Sequence, residues 1–109
     1  MRIGRSLLLL LAIVFAATTA HAQNDRAERR GEQLLARHCA MCHAIGRQGV
    51  SPHRQAPPFR TLAKRYPIEA LEEALGEGLY TGHPDMPEFV FAPADVGAIL
   101  AYLKSIQEP

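Results

Sequence analysis

The stretch Cys39-Ala40-Met41-Cys42-His43 organises this chain, and it holds both of the cysteines in the sequence. The spacing Cys-x-x-Cys-His is the attachment signature of a c-type haem (heme c). One helical turn would bring the two thiols to the same side, where each can form a thioether with a haem vinyl group. The adjacent imidazole would be the proximal ligand of the iron. The motif therefore predicts one covalently attached haem c, held by Cys39, Cys42 and His43.

Two other kinds of site use the same residue types. A Cys-x-x-Cys pair in an exported protein can form a redox disulfide, and cysteine with histidine can bind zinc. A zinc site would need further strong ligands, but the sequence has no second cysteine pair and no His-x-x-x-His. A thioredoxin-type site would need strands around the motif, whereas the flanking sequence predicts helices. On the motif alone, both alternatives stay open.

Residues 1–22 have the order of a secretory signal peptide. Two arginines precede an apolar run over residues 7–17, and the small-residue sequence Ala-His-Ala follows at residues 20–22. The apolar run is shorter than the roughly 18 residues that a membrane helix requires. We therefore expect cleavage after Ala22, a periplasmic location, and one domain over residues 23–109 without a membrane span. An uncleaved membrane anchor is the alternative.

Charge is divided between the two halves of this domain. Residues 23–65 carry 9 basic and 3 acidic side chains, a balance of +6, whereas residues 66–109 carry 1 basic and 8 acidic, a balance of −7. Such asymmetry can steer a charged partner, but two halves that attract each other explain it equally well. The basic half has no nucleic-acid-binding motif, so nucleic acid is not expected as a partner.

Hydrophobic periodicity predicts an all-α chain of about three main helices, with short helical turns and long loops. The first helix is expected to begin near Asp25, at capping-box distance from Glu28, and to lead into the motif. Residues 61–65 predict a short helical turn. Further helices are expected to open at Pro67 and Pro93, because proline is favoured in a first turn. Their expected apolar positions are Ile68, Leu71, Leu75 and Leu79, and then Val96, Ile99, Leu100, Tyr102, Leu103 and Ile106.

Two irregular segments, residues 44–59 and 81–87, separate these helices and are rich in glycine and proline. Loops of this length are usually functional. A domain of this size also buries only about 60% of its unfolded surface. We therefore expect the loops to wrap the cofactor, which completes the core, and the polypeptide without it to be poorly folded.

Met86 is expected to be the second axial ligand of the iron, because prolines on either side hold it in an extended backbone. The initiating methionine would leave with the signal peptide, and Met41 lies between the two cysteines. His83 competes for the same role from the same loop. His38 and His53 are weaker candidates.

With Cys39, Cys42, His43 and Met86 in these positions, the chain resembles the class I c-type cytochromes over nearly its whole mature length. The resemblance implies a cytochrome c-like fold wrapped around one covalent haem. It also implies an electron carrier whose iron cycles between Fe(III) and Fe(II) with His43 and Met86 bound. Its partners would be redox proteins, an electron donor and an acceptor, and the chain would be a monomer.

Other family features have counterparts here. A glycine eight residues before the first cysteine packs in that family against an aromatic residue of the last helix, and Gly31 and Tyr102 correspond to them. The family's Gly-Pro-x-Leu turn, whose proline carbonyl accepts a hydrogen bond from the proximal histidine, resembles Ala56-Pro57-Pro58-Phe59 and implies that role for Pro57. Departures from the pattern are Ala56 in place of the glycine and Leu35 in place of an aromatic. Candidates to bind the haem propionates are Arg60, Lys64, Arg65 and Tyr66.

Catalysis by this domain alone is not expected, because no acid–base pair or nucleophile–base array accompanies the haem motif. Two alternatives to a free carrier stay open. The chain could be a fixed haem-bearing subunit of a larger dehydrogenase or oxidase. It could also bind a gas or peroxide if Met86 left the iron.

Overall fold

The structure, a computed structural model, describes residues 3–78 and 83–109, with side chains from residue 8 onward. Helix α1 spans Ile3–His38, α2 spans Leu71–Glu77 and α3 spans Pro93–Ile106. Short 3-10 helices occupy Phe59–Lys64 and Ile68–Ala70, and the described residues contain no strand. The predicted all-α class, with three main helices, short helical turns and long loops, is confirmed.

Helix α1 is longer than the sequence pattern predicted. The start expected near Asp25 for the first helix of the mature domain is not a helix start in the full chain, where one helix runs from Ile3 to His38. No glycine or proline lies between residues 5 and 30 to interrupt it. Asn24 donates to the Glu28 carboxylate at 2.6 Å within the continuing helix, so Glu28 is not part of a capping box. Every residue from 8 to 26 is exposed, and the helix first becomes buried beyond them.

The second half of α1 packs closely against α3. A Cβ atom at Gly31 would lie 2.7 Å from the carbonyl carbon of Ala98 and 2.9 Å from the Cβ of Tyr102, so only glycine allows this approach. The expected pairing of Gly31 with Tyr102 is therefore confirmed. Arg30 donates from Nε to the Asp95 carboxylate at 2.7 Å and links the two helices at their surface.

The core lies where α3 meets α1 and α2. Helix α3 begins at Pro93 as predicted, and every apolar side chain expected to be buried in it is buried. Leu35 of α1 and Ile99 of α3 lie at the centre, with exposed fractions of 2% and 0%. Leu35, which stands where the family has an aromatic residue, is thus a core residue. The core cluster comprises Leu35, Phe59, Leu62, Ile68, Leu75, Val96, Ile99, Leu100, Tyr102, Leu103 and Ile106.

The two shorter predicted elements are present with shifted bounds. The turn expected at residues 61–65 is the 3-10 helix Phe59–Lys64. The helix expected to open at Pro67 starts as the 3-10 turn Ile68–Ala70, and α-helical geometry begins only at Leu71. Leu79, expected at its end, lies outside the described residues.

Ion pairs join the basic and acidic halves of the domain, which supports attraction between the halves as the cause of the charge split. The pairs that cross from one half to the other are Arg30 with Asp95, and both Arg60 and Lys64 with Glu108. Within residues 3–78 and 83–109, no helix combines the length and the hydropathy needed to cross a bilayer.

Candidate functional site

The Cys-x-x-Cys-His motif forms a hydrogen-bonded turn directly after α1. The N–H of Cys39 donates to the carbonyl of Leu35 at 2.8 Å, which continues the helical pattern. The N–H groups of Cys42 and His43 then both donate to the carbonyl of Cys39, at 3.1 and 2.9 Å. The single turn predicted for the motif is present, one residue beyond the end of the α-helix rather than inside it.

Both cysteines are half-buried free thiols. Burial, with a smaller contribution from Cys42, raises the pKa of Cys39 to about 11. Redox-active Cys-x-x-Cys sites have lowered thiol pKa values instead, so this environment does not favour a redox disulfide. In the part of the chain that the structure describes, no group of three or more histidine, cysteine or acidic residues could hold a metal ion, so the zinc alternative has no support either.

The imidazole of His43 is held in one tautomer. Its Nδ1 lies 2.8 Å from the carbonyl oxygen of Pro57, and because a carbonyl only accepts, Nδ1 must carry the proton. In a neutral ring with this tautomer, Nε2 has the lone pair that can ligate a metal. The ring also packs on Phe59, with 4.5 Å between ring centroids. The role implied for Pro57 is confirmed, and Ala56 in place of glycine does not prevent it.

Backbone hydrogen bonds fold the first loop around the motif. The Ala44 N–H donates to the buried Ser51 hydroxyl at 3.0 Å, and the Ala44 carbonyl accepts from the Phe59 N–H at 2.9 Å. The His53 N–H donates to the Cys42 carbonyl at 3.1 Å. These bonds draw both ends of residues 44–59 against the motif, so the Pro57 carbonyl reaches the proximal ring.

A cavity of about 410 Å³ opens between the motif, this loop and the segment around Met86. The four residues predicted from the sequence to bind the cofactor, Cys39, Cys42, His43 and Met86, all line it. Its volume lies within the roughly 300–1,000 Å³ of small-molecule sites, and its walls are mainly apolar. The tertiary structure thus brings Met86 to the motif across more than forty residues of sequence.

The segment that carries Met86, residues 83–91, is anchored on both sides. On one side, Asp85 lies 3.1 Å from the Nε2 of His53. On the other, the rings of Phe89 and Phe91 meet the His38 ring edge-on, at centroid distances of 5.8 and 5.5 Å. His38 and His53, weak ligand candidates in the sequence, thus both hold this segment.

His83 lines the same cavity as Met86, so the structure does not separate the two candidate ligands by location. Sequence reasoning missed Asp85, Phe89 and Phe91. The Phe-x-Phe spacing after the proline-rich segment was the available signal for the aromatic pair, because alternate residues of an extended chain lie on the same side.

The residues proposed to bind haem propionates are placed elsewhere. None of the four lines the cavity. Arg60 and Lys64 instead bind the carboxylate of Glu108 at 2.9 and 2.8 Å, because the C-terminal residues fold back onto the 3-10 helix Phe59–Lys64. Polar side chains on the cavity wall include those of Arg37, His53 and Gln55.

A second, more open groove of about 520 Å³ lies between α1, residues 46–48 and α3. Charged side chains from α1 and Arg47 line it, and it contains no cysteine or histidine. It contains none of the residues predicted to bind the cofactor, so it is not the site of the haem chemistry.

The donor set of the first cavity fits a covalently bound haem. Two unpaired thiols are available for thioether bonds, and the tautomer of His43 leaves a nitrogen for the iron. Met86 adds a thioether on the wall of the same cavity, which is a second axial ligand found in this class of site.

Comparison with known proteins agrees with this chemistry. The cytochrome c family matches residues 28–107. The chain is 29% identical to cytochrome c-552 of Bradyrhizobium diazoefficiens over 103 residues, which cover 94% of each chain. It is 34% identical to cytochrome c6 of a Picosynechococcus species over 102 residues, which cover 88% of this chain and 86% of the relative. No solved structure matches the chain at a significant level. The chain therefore belongs to the cytochrome c family, and its cofactor is covalently attached haem c.

Proposed function

We propose that this monohaem electron-transfer protein is a mobile electron carrier of the periplasm or an equivalent exported space, with His43 and Met86 as the axial ligands of its iron. The observation that carries the proposal is that Met86 lines the same cavity as the attachment motif. The similarity over most of the chain to two cytochromes, cytochrome c-552 and cytochrome c6, supports it. Its partners would be a donor and an acceptor protein, and the chain would act as a monomer.

When bound, haem c supplies a one-electron Fe(III)/Fe(II) couple. Cys39 and Cys42 would tether it, and the Pro57 carbonyl would make His43 a more basic ligand through the hydrogen bond at Nδ1. The Met86 thioether would favour the ferrous state and raise the potential relative to a second histidine. Because both side chains stay in place in either oxidation state, little structure need change with each electron.

Transport is a better proposal than catalysis, because Met86 would occupy the position that a substrate needs at the iron. Electrons would leave at the edge of the site near Met41, whose side chain is 88% exposed beside the cavity. A contact there would be small and short-lived, as in other redox encounters.

Replacing Met86 by Ala tests the ligand assignment. We expect a weak charge-transfer band near the red edge of the visible spectrum in the ferric wild-type protein. We expect Met86→Ala to abolish it and to let the ferrous form bind carbon monoxide. Met41→Ala is the matched control and should keep the band, because that side chain points to solvent. A wild-type protein without the band, or a Met86→Ala variant that keeps it, would contradict the proposal and favour His83 or a gas-binding site.

Export is proposed from the signal-like residues 1–22, and the exposure of residues 8–26 along α1 supports it, because their removal would uncover no core. Mass spectrometry of protein isolated from the periplasm should give a chain that begins at Gln23. An intact chain in the membrane fraction would favour an uncleaved anchor. Stable co-purification with a larger complex at low salt would favour the fixed-subunit alternative.

A further inference from the structure

Few of the backbone hydrogen bonds found in the described part of the chain hold the segment that carries Met86. Among the described residues, the Met86 N–H bonds only within the segment, to the carbonyl of His83 at 3.1 Å. The nearest bond to a helix is that of the Phe91 N–H to the carbonyl of Leu75 at 2.9 Å, five residues further on. Side-chain contacts of its neighbours also hold the segment that carries Met86.

One of these contacts connects the segment to the attachment motif through a single residue, His53. The His53 N–H donates to the carbonyl of Cys42 at 3.1 Å, which fixes its backbone beside the motif. Its ring Nε2 lies 3.1 Å from Oδ2 of Asp85, the residue directly before Met86. His53 thus links the attachment motif to the segment that carries Met86, at the edge of the cavity.

The hydrogen bonds of the His53 ring define its tautomer. The Gln55 N–H donates to Nδ1 at 3.2 Å, so Nδ1 carries no proton and acts as an acceptor. The ring proton is then on Nε2, which donates it to the Asp85 carboxylate. A neutral imidazole satisfies both bonds. The bond from the Gln55 N–H orients the ring independently of Asp85.

We propose that His53 is a positioning residue for the axial methionine. It fixes Asp85 to the motif through Cys42 and so keeps the Met86 thioether at the cavity. The contacts of Phe89 and Phe91 with His38 hold the other side of the segment. The inference rests on the proposed axial role of Met86.

Cyanide binding to the ferric protein tests this role, because cyanide takes the position of the methionine and the loss of the charge-transfer band reports it. For His53→Ala we expect about a three- to tenfold higher cyanide affinity, as loss of a partly exposed hydrogen bond implies. Asp85→Ala should raise the cyanide affinity by the same factor. The double variant should bind cyanide no more tightly than either single variant. Arg54→Ala, at the exposed neighbouring position, should behave as wild type.

Asp85→Asn separates the hydrogen bond from the charge. It keeps an oxygen that accepts the His53 proton but removes the negative charge that would repel cyanide. We expect it to stay within about twofold of wild type. If Asp85→Asn raised the affinity as much as Asp85→Ala, charge and not position would be the cause, and the proposal would be overturned.

The possible failures are distinguishable. A wild-type protein without the charge-transfer band would overturn the axial role of Met86. If the wild-type protein had the band but His53→Ala left the cyanide affinity unchanged, only the positioning role would be overturned. Additive effects of His53→Ala and Asp85→Ala on the affinity would overturn it as well. If His53→Ala failed to fold, the Asp85→Ala and Asp85→Asn pair would decide the question, because the Asp85 side chain is 73% exposed.

Discussion

The helix pair α1–α3 and the loop wall of the cavity, residues 44–59 and 83–91, are held together in different ways. The pair is packed around side chains with almost no exposure, such as Ile99, and its backbones approach to the limit set by Gly31. The wall consists of irregular chain joined by single hydrogen bonds and ring contacts, such as those of Ser51 and His53. The haem motif lies between these two regions, at the end of α1.

Apolar packing can hold the helix pair without help, whereas we expect the loop wall to need the cofactor. Burial of apolar side chains stabilises the helix pair over a wide contact. In the wall, each single contact contributes only about 0.5–1.5 kcal/mol, while ordering each loop residue costs about as much. We therefore expect the pair to tolerate loss of any one polar contact and the wall to depend on haem.

The largest effect should follow from preventing haem attachment. We expect the cofactor-free polypeptide to be poorly folded, with a weak near-ultraviolet signal and no cooperative unfolding. Thiol alkylation gives a sharper measurement. In the folded motif the pKa of Cys39, raised by burial to about 11, leaves about a hundredfold less thiolate near pH 8 than its ordinary value of 9.0.

If the wall collapses, Cys39 should instead be alkylated at the rate of an ordinary exposed thiol, with a pH profile centred near its ordinary pKa. The same reaction in strong denaturant provides the reference rate. Slow alkylation that speeds up only toward pH 11, together with a cooperative melt, would mean that the wall holds without its cofactor.

Gly31→Ala should break the helix pair. The added Cβ would meet the backbone carbonyl of Ala98, a buried residue of α3. We expect a loss of about 3 kcal/mol in the free energy of unfolding, measured by denaturant titration of the haem-bound protein. Gly97→Ala, in α3 with no atom within 4 Å of the new Cβ, is the matched control and should stabilise slightly. Equal effects of the two changes would refute the close approach as the cause.

Ser51→Ala should weaken the wall and leave the helix pair intact. It removes the acceptor of the Ala44 N–H at a buried position, which costs about 1–2 kcal/mol. Hydrogen exchange should show faster exchange of the Ala44 amide and unchanged exchange in α3. Ser51→Thr, which keeps the hydroxyl, should restore most of the protection. Faster exchange throughout α3 would mean that wall and pair unfold as one unit.

The smallest effect should come from Glu108, at the surface where the C-terminus meets the 3-10 helix Phe59–Lys64. Hydrogen bonds from Lys64 and Arg60 lower the pKa of Glu108 below its ordinary value of 4.5. The stabilisation is therefore present above pH 4.5 and disappears as the pH falls through the lowered value.

Glu108→Gln should lower the melting temperature by about 1–2 °C at pH 7, and this difference should shrink in acid. The exposed Glu72→Gln is the control and should show no such pH dependence. A difference that persisted unchanged below pH 3 would point to packing instead of charge.

Much of the helical frame was predictable, because its signals are local. Pro93 and the apolar spacing after it predicted α3 with its buried face, and Gly31 predicted a close approach that the structure contains. The continuation of α1 before Asp25 was not predicted, because a possible cap at Asp25 does not end a helix that has favourable residues on both sides. The propionate candidates stay predictions, and the contacts of Arg60 and Lys64 with Glu108, over forty residues further along, were not predictable from local patterns.

The sequence by itself determined the attachment chemistry of this protein, two thiols and an imidazole at a spacing that suits haem, and it proposed Met86, between two prolines, as the second ligand. Only the tertiary structure decided how that methionine is held. The contacts of His53 with Asp85 and of His38 with Phe89 join residues 32 and 51 positions apart, in segments without periodicity. Periodicity reports which face of a regular element is buried, but the pairing of two irregular loops depends on how the helices between them pack.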